Sequence, residues 1–324
     1  MRDESSIDER FWRHRRVCVT GGAGFVGRAL CRRLKILGCM TPFVPRRADY
    51  DLTQAEAVRR MYRDSRPDIV FHLAAQVGGI GANRSHPGRF FYANMVMGLH
   101  LIEQARHFGV QKFVQVGTVC SYPKHCPVPF REDSLWDGYP EPTNAPYGIA
   151  KKSLLVMLQA YRAEYGLNGI FVMPVNLYGP GDNFDVDSCH VIPALIRKFH
   201  QAKQDGAADV LCWGTGRASR EFLYVNDAAS AILKAGQRYN GDQPINIGTG
   251  SEITIRSLAE LIAELVGYDG RIEWDPSKPD GQPRRRLDTS RAAQLLDWQG
   301  RTDLPTGLRR TIDWWTKRAA PALV

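Results

Sequence analysis

Val17-Cys18-Val19-Thr20-Gly21-Gly22-Ala23-Gly24-Phe25-Val26-Gly27 is the stretch on which the reading of the fold turns. Residues 17–20 read as a short buried strand, and helical periodicity follows to about Leu37. Between them, glycines at 21, 24 and 27 let the backbone turn tightly, let a pyrophosphate approach the helix N-terminus, and let helix pack closely on strand. The spacing is slightly wider than Gly-x-Gly-x-x-Gly. Placed after the first strand, it points to dinucleotide binding, with Gly21, Gly24, Phe25, Val26 and Gly27 around the cofactor.

Working outward, residues 41–44 read as a second strand ending in Pro45-Arg46-Arg47. An acid usually stands there to hold the ribose hydroxyls of NAD, whereas arginine suits the extra phosphate of NADP. Arg46 and Arg47 therefore favour NADP(H), although Asp49 and Asp51 leave the choice open. A helix over 53–64 leads to a third buried strand over 68–74. The small residues from Ala74 and Ala75 to Ile80 would let a cofactor lie across that strand end. Helix at 87–108, strand from 112, helix at 147–165 and strand at 169–176 complete an alternation that predicts a doubly wound, Rossmann-type parallel sheet with helices on both faces. After Asn176 the pattern loosens. The expected division is a cofactor-binding domain over 1–178, with 226–250 returning to it, and a smaller substrate-binding lobe over 179–324.

A second stretch carries the chemistry. It opens on Gly117-Thr118-Val119-Cys120-Ser121 and closes on Tyr147-Gly148-Ile149-Ala150-Lys151. Thr118 and Cys120 fall where a strand ends. Tyr147 and Lys151, four residues apart on a helix, project from one face. The ammonium is expected to lower the phenol's pKa from about 10, making Tyr147 a proton donor near neutrality, with the Thr118 hydroxyl on the same substrate oxygen.

The chain has 324 residues, enough for two lobes, and a net charge of +9 that calls for an anionic partner. The basic runs at 13–16 and 284–286 lack aromatic interleaving, so a phosphorylated small molecule is expected and nucleic acid is not. Seven cysteines without Cys-x-x-Cys spacing argue against a disulfide framework or a zinc site. Residues 1–16 mix acids and bases, and no run approaches the ~20 apolar residues a bilayer needs. The expectation is a cytoplasmic protein with no metal and no membrane association.

The motifs TGGAGFVG, LAAQVGGIGAN, EPTNAPYGIAK, PVNLYGPGDNF, Ser188-Cys-His190-Val-Ile-Pro-Ala-Leu, WGTGRASREFLYVND and SKPDGQPRRRLD resemble the extended short-chain dehydrogenases/reductases nearly end to end. They are most similar to the branch that epimerises and reduces GDP-4-keto-6-deoxy-D-mannose to GDP-L-fucose with NADPH. The resemblance implies a GDP-sugar substrate, NADP(H) and a homodimer paired through helices flanking the sheet. It places Thr118, Tyr147 and Lys151 as the hydroxyl, tyrosine and lysine of reduction, and Cys120 and His190 as the base and acid of epimerisation. Lys151, Pro174 and Asn176 would touch the cofactor. Asn176, His190, Lys198, Trp213, Arg220 and Arg285 would line the nucleotide-sugar site. Thr118 stands where serine is commoner, Gln76 where lysine is frequent, Arg285 where lysine is common, and Ala23 where some members have arginine. Two other readings stay open: a reductase or epimerase of a related GDP-keto-sugar, heptose or dideoxy, and a dinucleotide-binding protein without catalysis. Dehydratases of this fold need an acid and base beside the catalytic hydroxyl, where this chain has Val119 and Cys120.

Overall fold

The structure, a computed structural model, describes residues 7–319 apart from Gly79 and Asp187. Gly79, in the small-residue loop expected along the cofactor, and the first six residues of the charged N-terminal segment lie outside the described residues.

A short helix α1 (Glu9–Arg13) precedes β1 (Val17–Thr20), α2 (Phe25–Ile36), α3 (Ala55–Ser65) and β2 (Ile69–His72). Then come α4 (Ile80–Ser85), α5 (Pro87–His107), β3 (Lys112–Val116), α6 (Ala145–Tyr165) and β4 (Gly169–Pro174). Strands β1 to β4 are short and almost wholly buried, as a parallel sheet covered on both faces requires. The sheet has the order β1, β2, β3, β4, β8, where β8 is Ile245–Ile247, and every pairing is parallel.

The strand expected at 41–44 is a correction. Only Phe43 pairs with β1, at Cys18, through Val19 N to Phe43 O (2.9 Å) and Phe43 N to Val17 O (2.8 Å). Prolines at 42 and 45 flank it, lack N–H groups and stop the ladder after one residue. The topological consequence survives. The chain leaves β1 toward Phe43 on one side and returns to β2 on the other, so the sheet's switch point and its crevice lie between the C-terminal ends of β1 and β2.

The expected strand at 169–176 is also interrupted. β4 ends at Pro174, Val175 N still bonds Ile247 O (2.9 Å), and β5 (Asn176–Tyr178) joins another sheet. The chain continues through α7 (Val191–Asp205), β6 (Asp209–Trp213), β7 (Ser219–Tyr224), α8 (Val225–Arg238), β8, β9 (Glu252–Thr254), α9 (Ile255–Val266), β10 (Arg271–Asp275), α10 (Ser290–Leu296) and α11 (Leu304–Ala319). β5, β7 and β9 form a three-stranded sheet, and β6 pairs with β10.

Two hydrophobic cores result. The first lies around the parallel sheet and takes in α8 and β8, and also Leu287, Ala292, Leu296 and Trp298 from around α10. The second gathers α7, α9, α11 and the two small sheets about Ile196, Phe199, Leu258, Ile262 and Leu308. Thus 287–298 returns to the first core together with α8 and β8, at a distance in sequence that periodicity did not reveal.

Candidate active site

The glycine turn is built for close approach. Gly21 has φ +70°, and a Cβ there would lie 2.7 Å from Ala74 N, so the end of β1 touches the end of β2. A Cβ on Gly27 would lie 2.1 Å from Gly21 O, which seats α2 on the strand. Gly24 is the N-cap of α2 and brings no side chain to the helix's first amides, while Phe25 and Val26 open the helix. A Cβ at Gly24 would meet only Gly21 O at 3.2 Å. Unsatisfied N–H groups at the positive end of a twelve-residue helix are what a pyrophosphate needs. Around this turn, Ala74 N reaches Thr20 Oγ1 (3.4 Å), Ala75 continues the loop, and Pro174 ends β4 opposite Ile247. Arg46 and Arg47 lie at the surface beside the Phe43 edge, with Arg47 in a 3.9 Å ion pair to Asp51.

Thr118, Cys120, Tyr147 and Lys151 meet beyond β3. Thr118 caps a short 3-10 turn over Val119–Ser121, accepting from Cys120 N at 3.2 Å. The start of α6 is pressed onto this turn: a Cβ on Gly148 would lie 2.4 Å from Cys120 O, and Ser121 Oγ donates to Gly148 O (2.9 Å). That contact sets the Tyr147 phenol against Thr118, with which it shares a hydrogen bond.

The expected lowering of the phenol's pKa is not found. Tyr147 and Lys151 are both buried, and a poorly solvated interior disfavours both charged forms. Burial pushes the Tyr147 phenol well up, the nearby Cys120 adds to this, and the Thr118 hydrogen bond opposes it. Burial likewise pulls the Lys151 ammonium down to about 8. Tyr147 is therefore protonated across the whole neutral range, the state a proton donor needs.

A cationic group sits on the other side of Cys120. Arg285 Nη1 donates to Cys120 Sγ (3.8 Å) and to Asn176 Oδ1 (3.4 Å), and its Nε and Nη2 hold Gln282 Oε1. Arg285 arrives on an irregular strap: Glu221 N bonds Arg285 O (3.0 Å) on one side, and Phe130 N bonds Arg286 O (2.7 Å) on the other. Arg220 lies near it on β7, donating to Ser219 O (2.7 Å) and Asp280 O (3.0 Å). Its pKa is pushed down to about 10, by burial first and then by the Arg285 charge, with Cys120, Asp280 and Glu141 opposing. A buried guanidinium, Arg285, beside a half-buried one, Arg220, favours an anion between them.

Arg220 and Glu221, adjacent in sequence, do not pair. Alternation along β7 sends them to opposite faces, and the Glu221 carboxylate instead accepts from Gly250 N (2.8 Å) and Leu287 N (2.7 Å), anchoring the strap that carries Arg285. Burial raises the Glu221 pKa while these backbone donors hold it down.

His190, Lys198 and Trp213 belong to the second core's elements. His190 is the N-cap of α7, and burial of its ring lowers the imidazole pKa although the residue keeps solvent access. Lys198 donates to Leu211 O (2.9 Å) and lines a groove of about 550 Å³ with Arg197, Gln201, Val210 and Leu211. Trp213, at the end of β6, is 68 % exposed, with Lys278 Nζ 5.6 Å from its ring centroid. An exposed tryptophan is a surface for a ring to stack on, not a core residue. Among the described residues, no hydrogen bond or ion pair joins His190 or Lys198 to the Cys120 group.

Sequence reasoning missed His72, Asp280 and Gln282. His72 is fully buried at the end of β2, its Nδ1 2.8 Å from Thr20 Oγ1, and burial together with the nearby Lys151 charge keeps the imidazole neutral. A histidine inside an otherwise apolar strand was the signal. Asp280 clamps Thr215 through N and Oγ1, both 2.7 Å, and Gln282 orients Arg285; both lie in a loop without periodicity.

The family described as NAD dependent epimerase/dehydratase matches residues 17–248. GDP-L-fucose synthase 1 of Arabidopsis thaliana is 43 % identical over 302 residues, 93 % of each chain. Among solved structures, a GDP-6-OMe-4-keto-L-xylo-heptose reductase from C. jejuni has a TM-score of 0.88 at 28 % identity, covering 93 % of this chain and 97 % of that one. A GDP-L-fucose synthetase from Naegleria fowleri bound to NADP has a TM-score of 0.86 at 28 % identity, covering 94 % of each.

Proposed function

The chain belongs to the NAD dependent epimerase/dehydratase family, and from that premise we propose that it converts GDP-4-keto-6-deoxy-D-mannose to GDP-L-fucose, by epimerisation at carbons 3 and 5 and NADPH-dependent reduction at carbon 4. The similarity to a GDP-L-fucose synthase over most of both chains supports this reading. The observation that carries it is the packing of a reductase set, Thr118, Tyr147 and Lys151, against a thiol, Cys120, that also touches a buried guanidinium, Arg285.

The residues fit NADP(H). The uncapped start of α2 would take the pyrophosphate, Ala74, Ala75, Pro174 and Asn176 would border the nicotinamide half, and Arg46 and Arg47, the latter ion-paired with Asp51, are exposed at the surface edge where a 2′-phosphate would lie. When bound, NADPH supplies the hydride for carbon 4. Lys151 would hold its ribose.

The C4 ketone acidifies the hydrogens on carbons 3 and 5, because the carbanion delocalises onto the carbonyl oxygen. Cys120 would take those protons and His190 would return them from the opposite face. Burial of its ring lowers the proton affinity of His190 in the free protein, and a nearby negative charge such as the diphosphate's would favour its acid form. Tyr147 and Thr118 would donate to the enolate oxygen, and Tyr147 would protonate the alkoxide after reduction. Arg220 and Arg285 would face the diphosphate, with Asn176 between Arg285 and Glu221 O (2.9 Å). Trp213 and Lys198 would serve the nucleoside end.

A homodimer through α5 and α6 fits the surface: Phe91, Tyr92 and Leu99 on α5 and Val156 on α6 are large apolar residues left exposed. Seven free cysteines fit a reducing, cytoplasmic setting, and among the described residues no helix is long and apolar enough to cross a membrane.

The test is turnover of GDP-4-keto-6-deoxy-D-mannose with NADPH in heavy water, reading cofactor oxidation and deuterium position together. The expected result is oxidation with deuterium at carbons 3 and 5. Cys120→Ala should suppress the exchange, and Tyr147→Phe should lower reduction 10²-fold or more while leaving some of the exchange. Oxidation without deuterium would sink the epimerase half and favour a plain reductase, as in the heptose neighbour.

A further inference from the structure

Arg28 sits one turn into α2 and does not face the sheet. Its Nη1 donates to Ala23 O (2.7 Å) within the glycine turn, and its Nη2 donates to Gly181 O (2.7 Å), 153 residues further along the chain. One planar guanidinium thus clamps two carbonyls from the two halves of the molecule, a task its fork geometry suits and a lysine's single amine does not. Gly181 is shaped to the contact. Its φ is +91°, and a Cβ there would lie 2.9 Å from Arg28 Nη2.

Between Gly181 and His190, hydrogen bonds join residues 182, 183, 185, 188 and 189. Asn183 N donates to Asp182 Oδ1 (2.7 Å), Asp185 N to Asn183 Oδ1 (3.0 Å), and Asn183 Nδ2 to Ser188 Oγ (2.8 Å). Ser188 N and Oγ donate to Asp185 Oδ1 (3.1 and 2.8 Å), and Cys189 N donates to Asp185 O (3.1 Å). His190 follows as the N-cap of α7. Asp182 is buried, and its Oδ2 has no hydrogen-bond partner. These bonds tie the described residues on either side of position 187 to one another, and Arg28 ties Gly181, at the start of the segment, to the turn.

We propose that Arg28 is a positioning residue that locks the His190 loop to the cofactor turn, so that cofactor occupancy and affinity for a nucleoside-diphosphate ligand become interdependent. A pyrophosphate that orders the turn orders Ala23 O, hence Arg28, hence the loop. The coupling presupposes that the sugar nucleotide binds at the His190 side, as proposed above. By thermodynamic reciprocity, each ligand must then tighten the other by the same factor.

The experiment is calorimetric titration of GDP into the full chain with and without saturating NADP⁺, for the wild type, Arg28→Gln and Arg28→Lys, with a thermal melt to confirm that each variant folds. Wild type should bind GDP at least about fivefold tighter in the presence of NADP⁺. Both variants should fall below about twofold, since lysine keeps the charge and loses the fork. Wild-type coupling retained in both variants would overturn the proposal. Coupling kept by lysine and lost in glutamine would also overturn it, leaving charge alone as the cause. If wild type bound NADP⁺ but no GDP, the substrate reading would fall and this tie with it. GDP binding without coupling would sink the tie alone.

Discussion

At the residue scale, the consequential finding is that burial governs both members of the tyrosine and lysine pair. Lys151 loses its proton near 8 because it has been taken out of water, whereas Tyr147 keeps its proton well beyond that. The sign follows directly. The charged form of Lys151, proposed above to hold the ribose, predominates below about 8 and is lost as pH rises through it, while the protonated form of Tyr147 persists. We expect kcat/KM for reduction to fall about tenfold per pH unit above pH ~8, and Lys151→Arg, which cannot deprotonate in this range, to remove that limb even if its plateau is lower. A steady-state profile of NADPH oxidation from pH 6 to 10 decides it. A limb appearing only near pH 10 would mean that Lys151 is not the titrating group.

At the element scale, the site depends on α6 sitting against the turn at Val119–Ser121. Gly148 makes that possible, because any side chain there would collide with the Cys120 carbonyl. Gly148→Ala should displace the start of α6 and lift Tyr147 off Thr118. The expected loss is at least tenfold in kcat with only about 1–3 kcal/mol of stability, read from NADPH oxidation and a thermal melt on one preparation. Full activity would show that the turn can give way without moving the phenol. Legibility divides at this scale too. Strong signals such as Val17–Gly27 and Tyr147–Lys151 announced their elements, because strand, turn and helix periodicities are local properties of the chain. The strand at 41–44 misled, since two prolines cancel hydrogen bonds that apolar character alone would predict. The strap holding Arg285 was invisible to periodicity, because its geometry comes from Glu221 and Phe130, distant residues that bond its backbone. Its charge was visible in the sequence, and its place only through the resemblance.

At the scale of the whole molecule, the first core carries the cleft at the C-terminal ends of β1 and β2 and takes in segments that return to it late in the chain, α8, β8 and residues 287–298, while α7, α9 and α11 build the second core. The helices α5 and α6 present Phe91, Leu99 and Val156 to solvent in the isolated chain. Covering them in a four-helix contact between two copies would remove that exposure. Leu99→Arg combined with Val156→Arg should therefore yield a monomer by light scattering at micromolar concentration, with the cleft itself untouched. A wild type that is already monomeric would dismiss the interface.

The strap also fixes an order of events during synthesis. Cys120 emerges 165 residues ahead of the guanidinium that will face it. At about 5–20 residues per second, the thiol waits roughly ten to thirty seconds before Arg285 exists. During that interval the nascent chain can already wind the glycine turn and the first four strands, yet it carries a bare sulfur at the end of β3. The thiol proposed as the epimerisation base would therefore be most open to oxidants and electrophiles on the ribosome, before Arg285 has been made.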